Sequence, residues 1–419
     1  MYPLEQNIIE QLTDLVSYKD KNGNYNKLKK DAETLEYEKS HRFRDKAMKP
    51  TIDPDGFEVQ RDNEGYIIPD DIEEILARAY KNGASDIHIA AGAPPKMRVN
   101  GELLQMDYQF MSPEKTKQLL VKLLSKESTE IFEEHGDMDF AHQIKNVCRF
   151  RVNYFKQRNS WAAVFRSLSN NIPDASKLGI PDAVMDMYTR KRGLVLVTGP
   201  TGSGKSTTLA SIIDAINKTR RENIITLEDP IEYLHYHNLS TVTQREIGVD
   251  TKSFANGVRA ALREDPDVIL IGEMRDPETI QTAITAAETG HLVFSTLHTI
   301  GAAATIDRII DSFPSGQQNQ VRAQLASVLE CVVSQQLIPK SNGSGRVAAF
   351  EVMLGNIAVK NLIRENKITQ ITSQIQVNKQ FGMILMDDYL LELYKHGTIS
   401  KEKAIEFSVD KTGMTSKLR

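Results

Sequence analysis

The chain has 419 residues, of which 40% are hydrophobic and 26% charged, with a formal net charge of -4. That length holds two or three domains of ordinary composition, and the charge balance carries no footprint of nucleic acid or of an anionic membrane surface. Its two cysteines, Cys148 and Cys331, lie far apart without a CxxC pairing, which argues against a disulfide framework or a structural zinc site and points to a reducing compartment.

Residues 1–70 are expected to form an N-terminal extension. Ile8, Leu12, Leu15 and Val16 share one helical face, and the stretch 20–64 that follows is polar and rich in turn formers, as a tether would be. The start, MYPLEQ, is not a signal peptide, and no apolar run reaches the roughly 18 residues of a membrane span. Membrane association is therefore expected only through a partner. Residues 71–168 mix helix and strand. A helix at 72–81 precedes a strand at 86–89, an Asn-Gly hairpin signal sits at 100–101, a helix spans 113–125, and two strands cover 147–155 and 161–168. After a linker at 169–185, residues 186–345 alternate strand and helix as a parallel sheet does. The region 346–419 is expected to be mostly helical. No internal repeat is visible.

The strongest local signal is GPTGSGKST at 199–207. An apolar strand, 193–198, precedes it, and a helical apolar spacing follows from Thr208. Strand, glycine loop and helix together make a GxxxxGK[ST] match a P-loop; a chance glycine-rich turn would lack these flanks. Gly199, Gly202 and Gly204 let the backbone curl around phosphates, with Pro200, Thr201, Ser203 and Thr207 completing the loop. The helix adds its positive end. Lys205 can reach the β- and γ-phosphates, and Ser206 can offer a hydroxyl to Mg²⁺. The chain is thus expected to bind a nucleoside triphosphate, ATP, with Mg²⁺.

Two downstream strands end in acids: 223–228, leading to Glu228, Asp229 and Glu232, and 267–271, leading to Glu273. In a parallel sheet these ends share the P-loop's crevice. One acid alone is more often a cap or a surface charge. Two acid-ended strands after a P-loop favour metal support and orientation of an attacking water.

With GPTGSGKST, the segments ITLEDPIEY (225–233), LREDPDVILIGEMRDPETI (262–280) and TAAETGHLVFSTLHT (285–299) resemble the Walker A, Asp-box, Walker B and His-box of the type II/IV secretion ATPase superfamily. GASDIH (83–88), RFRVN (149–153), VFR (164–166) and NLIREN (361–366) extend the likeness, which is to the type IV pilus retraction ATPases in particular. The resemblance implies a RecA-like P-loop ATPase domain, mostly parallel sheet, preceded by a smaller PAS-like α+β domain. It implies a cytoplasmic homo-hexamer that hydrolyses ATP, works against an inner-membrane pilus platform protein and powers pilus retraction by motion between its two domains. Neither direct nucleic-acid binding nor membrane insertion is expected.

Carried over residue by residue, the likeness gives Lys205 and Ser206 the phosphates and the metal. Glu273 becomes the metal-supporting Walker B glutamate. Glu232 becomes the base, with Glu228 as its competitor. The Walker B strand ends in Gly-Glu, one carboxylate fewer than in many P-loop ATPases. His291 and His298 become sensors of the γ-phosphate or of the subunit interface, with plain packing the alternative. Lying seven residues apart across a strand, they are not expected to form a zinc pair. Arg149, Arg151 and Arg166 become arginines that reach a nucleotide in the same chain or across a ring interface.

Assembly and secretion ATPases usually carry a tetracysteine element after the His-box. Cys331, the sole cysteine in that half, rules it out and favours retraction. A pilus-assembly or secretion ATPase stays open, and so, more remotely, do a RecA-like nucleic-acid motor and a metabolic P-loop kinase.

Overall fold

In a computed structural model, the described residues are 51–52, 56–168 and 172–418. The helix expected around Ile8–Val16 lies outside them. The chain divides into two units after Leu168.

The first unit holds a short antiparallel pair of β1 (Thr51–Ile52) and β2 (Glu58–Val59), followed by helix α1 (Ile72–Lys81). Strands β3 (Asp86–Ala90), β4 (Lys96–Val99) and β5 (Glu102–Gln105) come next, then helices α2 (Pro113–Val121) and α3 (Lys126–His135). Strands β6 (Asp137–Gln143), β7 (Arg149–Gln157) and β8 (Ser160–Leu168) complete an antiparallel sheet of order β5-β4-β3-β8-β7-β6. Asn100 and Gly101 both have positive φ, the twist that an Asn-Gly hairpin turn needs. Period-two alternation puts Ile87, Ile89, Phe150, Val152, Tyr154 and Phe165 into one core with Ile75 and Leu76 of α1, Leu119 and Leu120 of α2, and Phe132 of α3. Helix α3 and strand β6 escape sequence reading because α3 buries only Phe132, so its charged sequence carries almost no stripe.

The boundary expected at residue 70 does not match this core. Val59 and Ile67 are buried in it, Phe57 packs against it, and Ile67 exchanges backbone hydrogen bonds with Asp107 and Gln109. The sparse apolar residues at 57–67 looked like a tether because their partners are far away in sequence. The same region is tied down by Arg78, a buried arginine of α1. It donates to Glu74 and to the Tyr108 hydroxyl (Nε–Oη 3.0 Å), and its guanidinium lies 4.8 Å from the Phe57 ring centroid. Burial pushes the Glu74 carboxyl above its usual range. Arg78→Met is expected to destabilise this unit by about 2 kcal/mol, since the half-buried Glu74 carboxylate loses the guanidinium and keeps only the Tyr108 hydroxyl (Oη–Oε1 3.0 Å). Denaturant unfolding checks it.

The second unit starts with two helical turns, Ala175–Leu178 and Asp182–Met185. The core follows in the order β9 (Gly193–Thr198), α4 (Lys205–Thr219), β10 (Asn223–Glu228), β11 (Thr241–Glu246), α5 (Phe254–Ala261), β12 (Val268–Ile271), α6 (Pro277–Glu288) and β13 (Leu292–Leu297). Helices α7 (Ala302–Asp311) and α8 (Ser315–Val328) and the hairpin of β14 (Leu329–Pro339) and β15 (Arg346–Leu354) close it. The sheet order is β11-β10-β12-β13-β9-β14-β15, parallel except for β15, so it is the RecA-like sheet with the P-loop strand between β13 and β14. Both faces are covered. Leu194, Leu196, Ile269 and Ile271 enter one core, while Val195, Val197, Val268 and Leu270 enter the other.

The expected boundary at 345 also moves, because Arg346–Leu354 is a strand of the core sheet. The helices after it include α9 (Ile357–Arg364), α10 (Ile371–Val377) and α11 (Met386–Lys395). Met386 and Leu390 pack with Ile338 and Ala349 of the hairpin. Buried Glu351 of β15 joins the pieces. Its carboxylate accepts from the Ala302 amide at the start of α7 (2.7 Å) and from the Met386 amide at the start of α11 (3.3 Å), and Ser334 Oγ takes the Gly301 amide (2.9 Å).

Candidate active site

The loop between β9 and α4 curls through Gly199, Gly202 and Gly204, at φ 142°, 75° and 92°. Space as well as conformation demands glycine there. A Cβ on Gly199 would lie 2.2 Å from the Gln335 carbonyl oxygen, and one on Gly204 would lie 2.8 Å from the Gln335 side-chain nitrogen. Gln335, on β14, is the floor of the loop, and its Oε1 also accepts from Thr208 Oγ1 at 2.8 Å. Pro200, Thr201 and Ser206 are exposed, whereas Lys205 is buried. The Lys205 ammonium donates to the Gly199 and Pro200 carbonyls (2.9 and 3.1 Å). Burial pulls its pKa down, and the charges of Glu273 and Glu232 act in the opposite direction. Thr198 Oγ1 and Ser203 Oγ are buried without a hydrogen-bond partner. A glycine cradle too tight for a Cβ, a helix N-terminus, a buried ammonium and two unpaired hydroxyls fit a phosphate chain.

The acid-ended strands reach the same edge of the sheet, and they place their carboxylates differently. Glu228 is half-buried and held by neighbours. It accepts from Thr226 Oγ1 (2.7 Å) and Gln244 Nε2 (3.0 Å), and burial raises its pKa. Glu232 lies four residues on, half-buried, in the loop behind the Asp229–Pro230 cis peptide. Tyr233 ties that loop to the P-loop helix, its hydroxyl 2.9 Å from Thr207 Oγ1. Glu273 is buried at the end of β12, with Arg275 Nη2 at 2.6 Å and His298 Nε2 at 3.4 Å on its two oxygens. Arg275 was missed in the sequence. The available signal was a basic residue two positions after an acid that ends a buried strand. The single carboxylate of that strand has a steric reason, since a Cβ on Gly272 would lie 3.1 Å from Leu227 O and 3.4 Å from Glu228 Cα.

The structure separates the two histidines. His298 follows the C-terminal end of β13, beside Glu273. His291 precedes the other end, its Nδ1 held by the Ala286 carbonyl (2.9 Å) and Thr289 Oγ1 (3.1 Å). Among the described residues no cluster of three or more His, Cys, Asp or Glu could hold a metal on its own.

In the first unit, cross-strand pairing sets Arg98, Asp86, Arg166 and Arg151 side by side across β4, β3, β8 and β7. Arg149 shares that sheet face two residues from Arg151. Arg166 is exposed and donates to Asp86 (Nε–Oδ1 2.9 Å). The three arginines singled out in the sequence therefore share one sheet face.

Comparison with known proteins fits this geometry. Residues 60–386 match the family described as "Type II/IV secretion system protein". The chain is 47% identical over 336 residues to the "Type IV pilus retractation ATPase PilT" of Pseudomonas aeruginosa, covering 80% of this chain and 97% of that one. It is 48% identical over 310 residues to a "Twitching motility protein" of Neisseria gonorrhoeae, covering 74% and 83%. Among solved structures, the pilus retraction motor PilT with bound ADP superposes at TM-score 0.79 and 51% identity over 83% of this chain and 100% of that one. The Legionella pneumophila ATPase DotB follows at TM-score 0.72 and 30% identity, over 80% and 97%. By profile, identity and fold alike, the chain belongs to the type II/IV secretion system protein family, among its P-loop ATPases.

Proposed function

We propose that this chain is the ATP-hydrolysing motor that retracts type IV pili. One observation carries the reading. Lys205 of the P-loop feels the charges of both Glu273 and Glu232, in a chain that matches a retraction ATPase over 80% of its own length and 97% of that protein's. In this reading Lys205 draws charge from the β- and γ-phosphates, and the loop amides of 199–204 hold them. Mg²⁺, held by the Ser206 hydroxyl and Glu273, would stabilise charge on the phosphate oxygens. Glu232 accepts the proton of the attacking water, while Glu228 holds the strand end in place. His298, on Glu273, senses the γ-phosphate; the seat of His291 suits packing or a subunit contact. Deleting the gene and scoring surface pili tests direction: hyperpiliated, immobile cells support retraction, and bald cells support assembly.

The motor is further proposed to be a cytoplasmic hexamer recruited to the membrane by a pilus platform protein. Among the described residues no helix is long and apolar enough to cross a membrane. Arg149, Arg151 and Arg166 meet the nucleotide as the domains move, neutralising charge on the γ-phosphoryl. Arg166→Ala is expected to lower kcat about 10- to 100-fold, the worth of one charge-assisted hydrogen bond, with nucleotide affinity nearly unchanged. Phosphate release beside analogue binding reads that split. Residues 1–50 are proposed to dock the Ile8–Val16 stripe on a neighbouring subunit or on the platform. Removing residues 1–50 should spare hydrolysis and reduce ring stability or recruitment, read by sizing and motility; a cut at Ile67 would also take Val59 from the core.

A further inference from the structure

The loop that carries Glu232 is mounted on the edge strand β11. Gln244 and Glu246, two residues apart on that strand, point to the same face and bracket the loop. On one side of Glu232, the Ile231 amide donates to Glu246 Oε2 at 3.2 Å. On the other side, Gln244 uses both of its amide N–H donors and its carbonyl oxygen. Its Nε2 donates to the Tyr233 carbonyl (2.9 Å) and to Glu228 (3.0 Å), and its Oε1 accepts from the His235 amide (2.8 Å). Parallel pairing with β10 fixes the height of this clamp, since Thr226 is opposite Gln244 and Glu228 is opposite Glu246. Further ties run from the Glu232 amide to the Glu228 carboxylate, which Gln244 also holds, from the Tyr233 hydroxyl to Thr207 in the P-loop helix, and from Asn217 to the Tyr236 carbonyl. Glu232 enters these contacts through its backbone amide and not through its carboxylate, so its place over the phosphate loop follows from the backbone at and on either side of it.

We propose that Gln244 is the positioning residue for Glu232, holding residues 233–235 so that the Glu232 carboxylate faces the water-attack side of the P-loop. The proposal rests on the reading of Glu232 as base. No other side chain supplies two donors and one acceptor at this reach. Glutamate has no donor when ionised and would set a second carboxylate against Glu228, and asparagine is one methylene short. A loop shifted by about 1 Å would still bind nucleotide through the glycine cradle and Lys205. It would orient water poorly, a loss on the order of 10- to 100-fold.

The test is a double-mutant cycle in the full-length protein, with Gln244→Met, Glu232→Gln and the pair, measuring steady-state phosphate release and binding of a non-hydrolysable ATP analogue. Gln244→Met is expected to lose about 10- to 100-fold in kcat, with KM and analogue affinity within about threefold of the parent. In the Glu232→Gln background the same change is expected to cost little more, because both act through one group. Gln244→Asn, which keeps the amide, should fall between parent and Gln244→Met, and it serves should the methionine variant not fold. A slow Glu232→Gln on which Gln244→Met still costs its full factor overturns the Gln244 proposal alone. So does a Gln244→Met whose only change is a raised KM. Parent-like turnover in Glu232→Gln sinks the reading of Glu232 as base, and the positioning role falls with it.

Discussion

Lys205→Ala is expected to cut ATP hydrolysis by about 10³-fold, the scale of losing a preorganised charge from a phosphoryl-transfer site. The expectation comes from where the ammonium sits. It is buried at the mouth of the loop, held by two loop carbonyls, and it feels both Glu273 and Glu232. A buried lysine is costly to keep charged, and here the carboxylates offset part of that cost. Removing it should therefore leave folding stability within about 1–2 kcal/mol of the parent. Phosphate release and thermal unfolding, measured on the same preparation, separate lost chemistry from a lost fold. A variant that unfolds early and turns over normally while folded would contradict the assignment.

Glu232→Gln should keep nucleotide binding and lose about 10²- to 10³-fold in turnover, since an amide cannot take a proton from water. Glu228→Gln is the informative contrast. Glu228 is half-buried, already accepts hydrogen bonds from Thr226 and Gln244, and has its pKa raised by desolvation. Its substitution should therefore disturb the end of β10 more than the chemical step. Near-parent turnover in Glu232→Gln beside a dead Glu228→Gln would reverse the two roles.

Chemistry that recurs at short range was legible in the sequence. The apolar strand before Gly199 and the helix after Lys205 both stand where the pattern put them, as does the Asn100-Gly101 turn. What escaped depends on contacts between distant segments. Val59 and Ile67 belong to a core whose other members come later in the chain, so a polar stretch hid two anchors. The strand Arg346–Leu354 was masked by the helical pattern after it, and its place in the sheet depends on pairing with β14. The histidines of one motif part because a strand separates its two ends, which seats His291 on Ala286 and Thr289 and His298 on Glu273. Gln244 carries no charge and no motif. Only its three partners mark it.

The shared carboxylate of Glu351 bears on how this protein can be cut and spliced. A chimera that exchanged only the tail after residue 345 would bring a foreign β15 to a resident α7, and the segment behind His298 would lose its seat unless the incoming strand offered the same acid at the same register. A junction placed after β15 would keep that seat and leave the start of α11 to find its acceptor on unfamiliar ground. The natural unit of exchange is therefore a block, running from the His298 turn through both hairpin strands to the first turn of α11, with Ser334 and Glu351 travelling together.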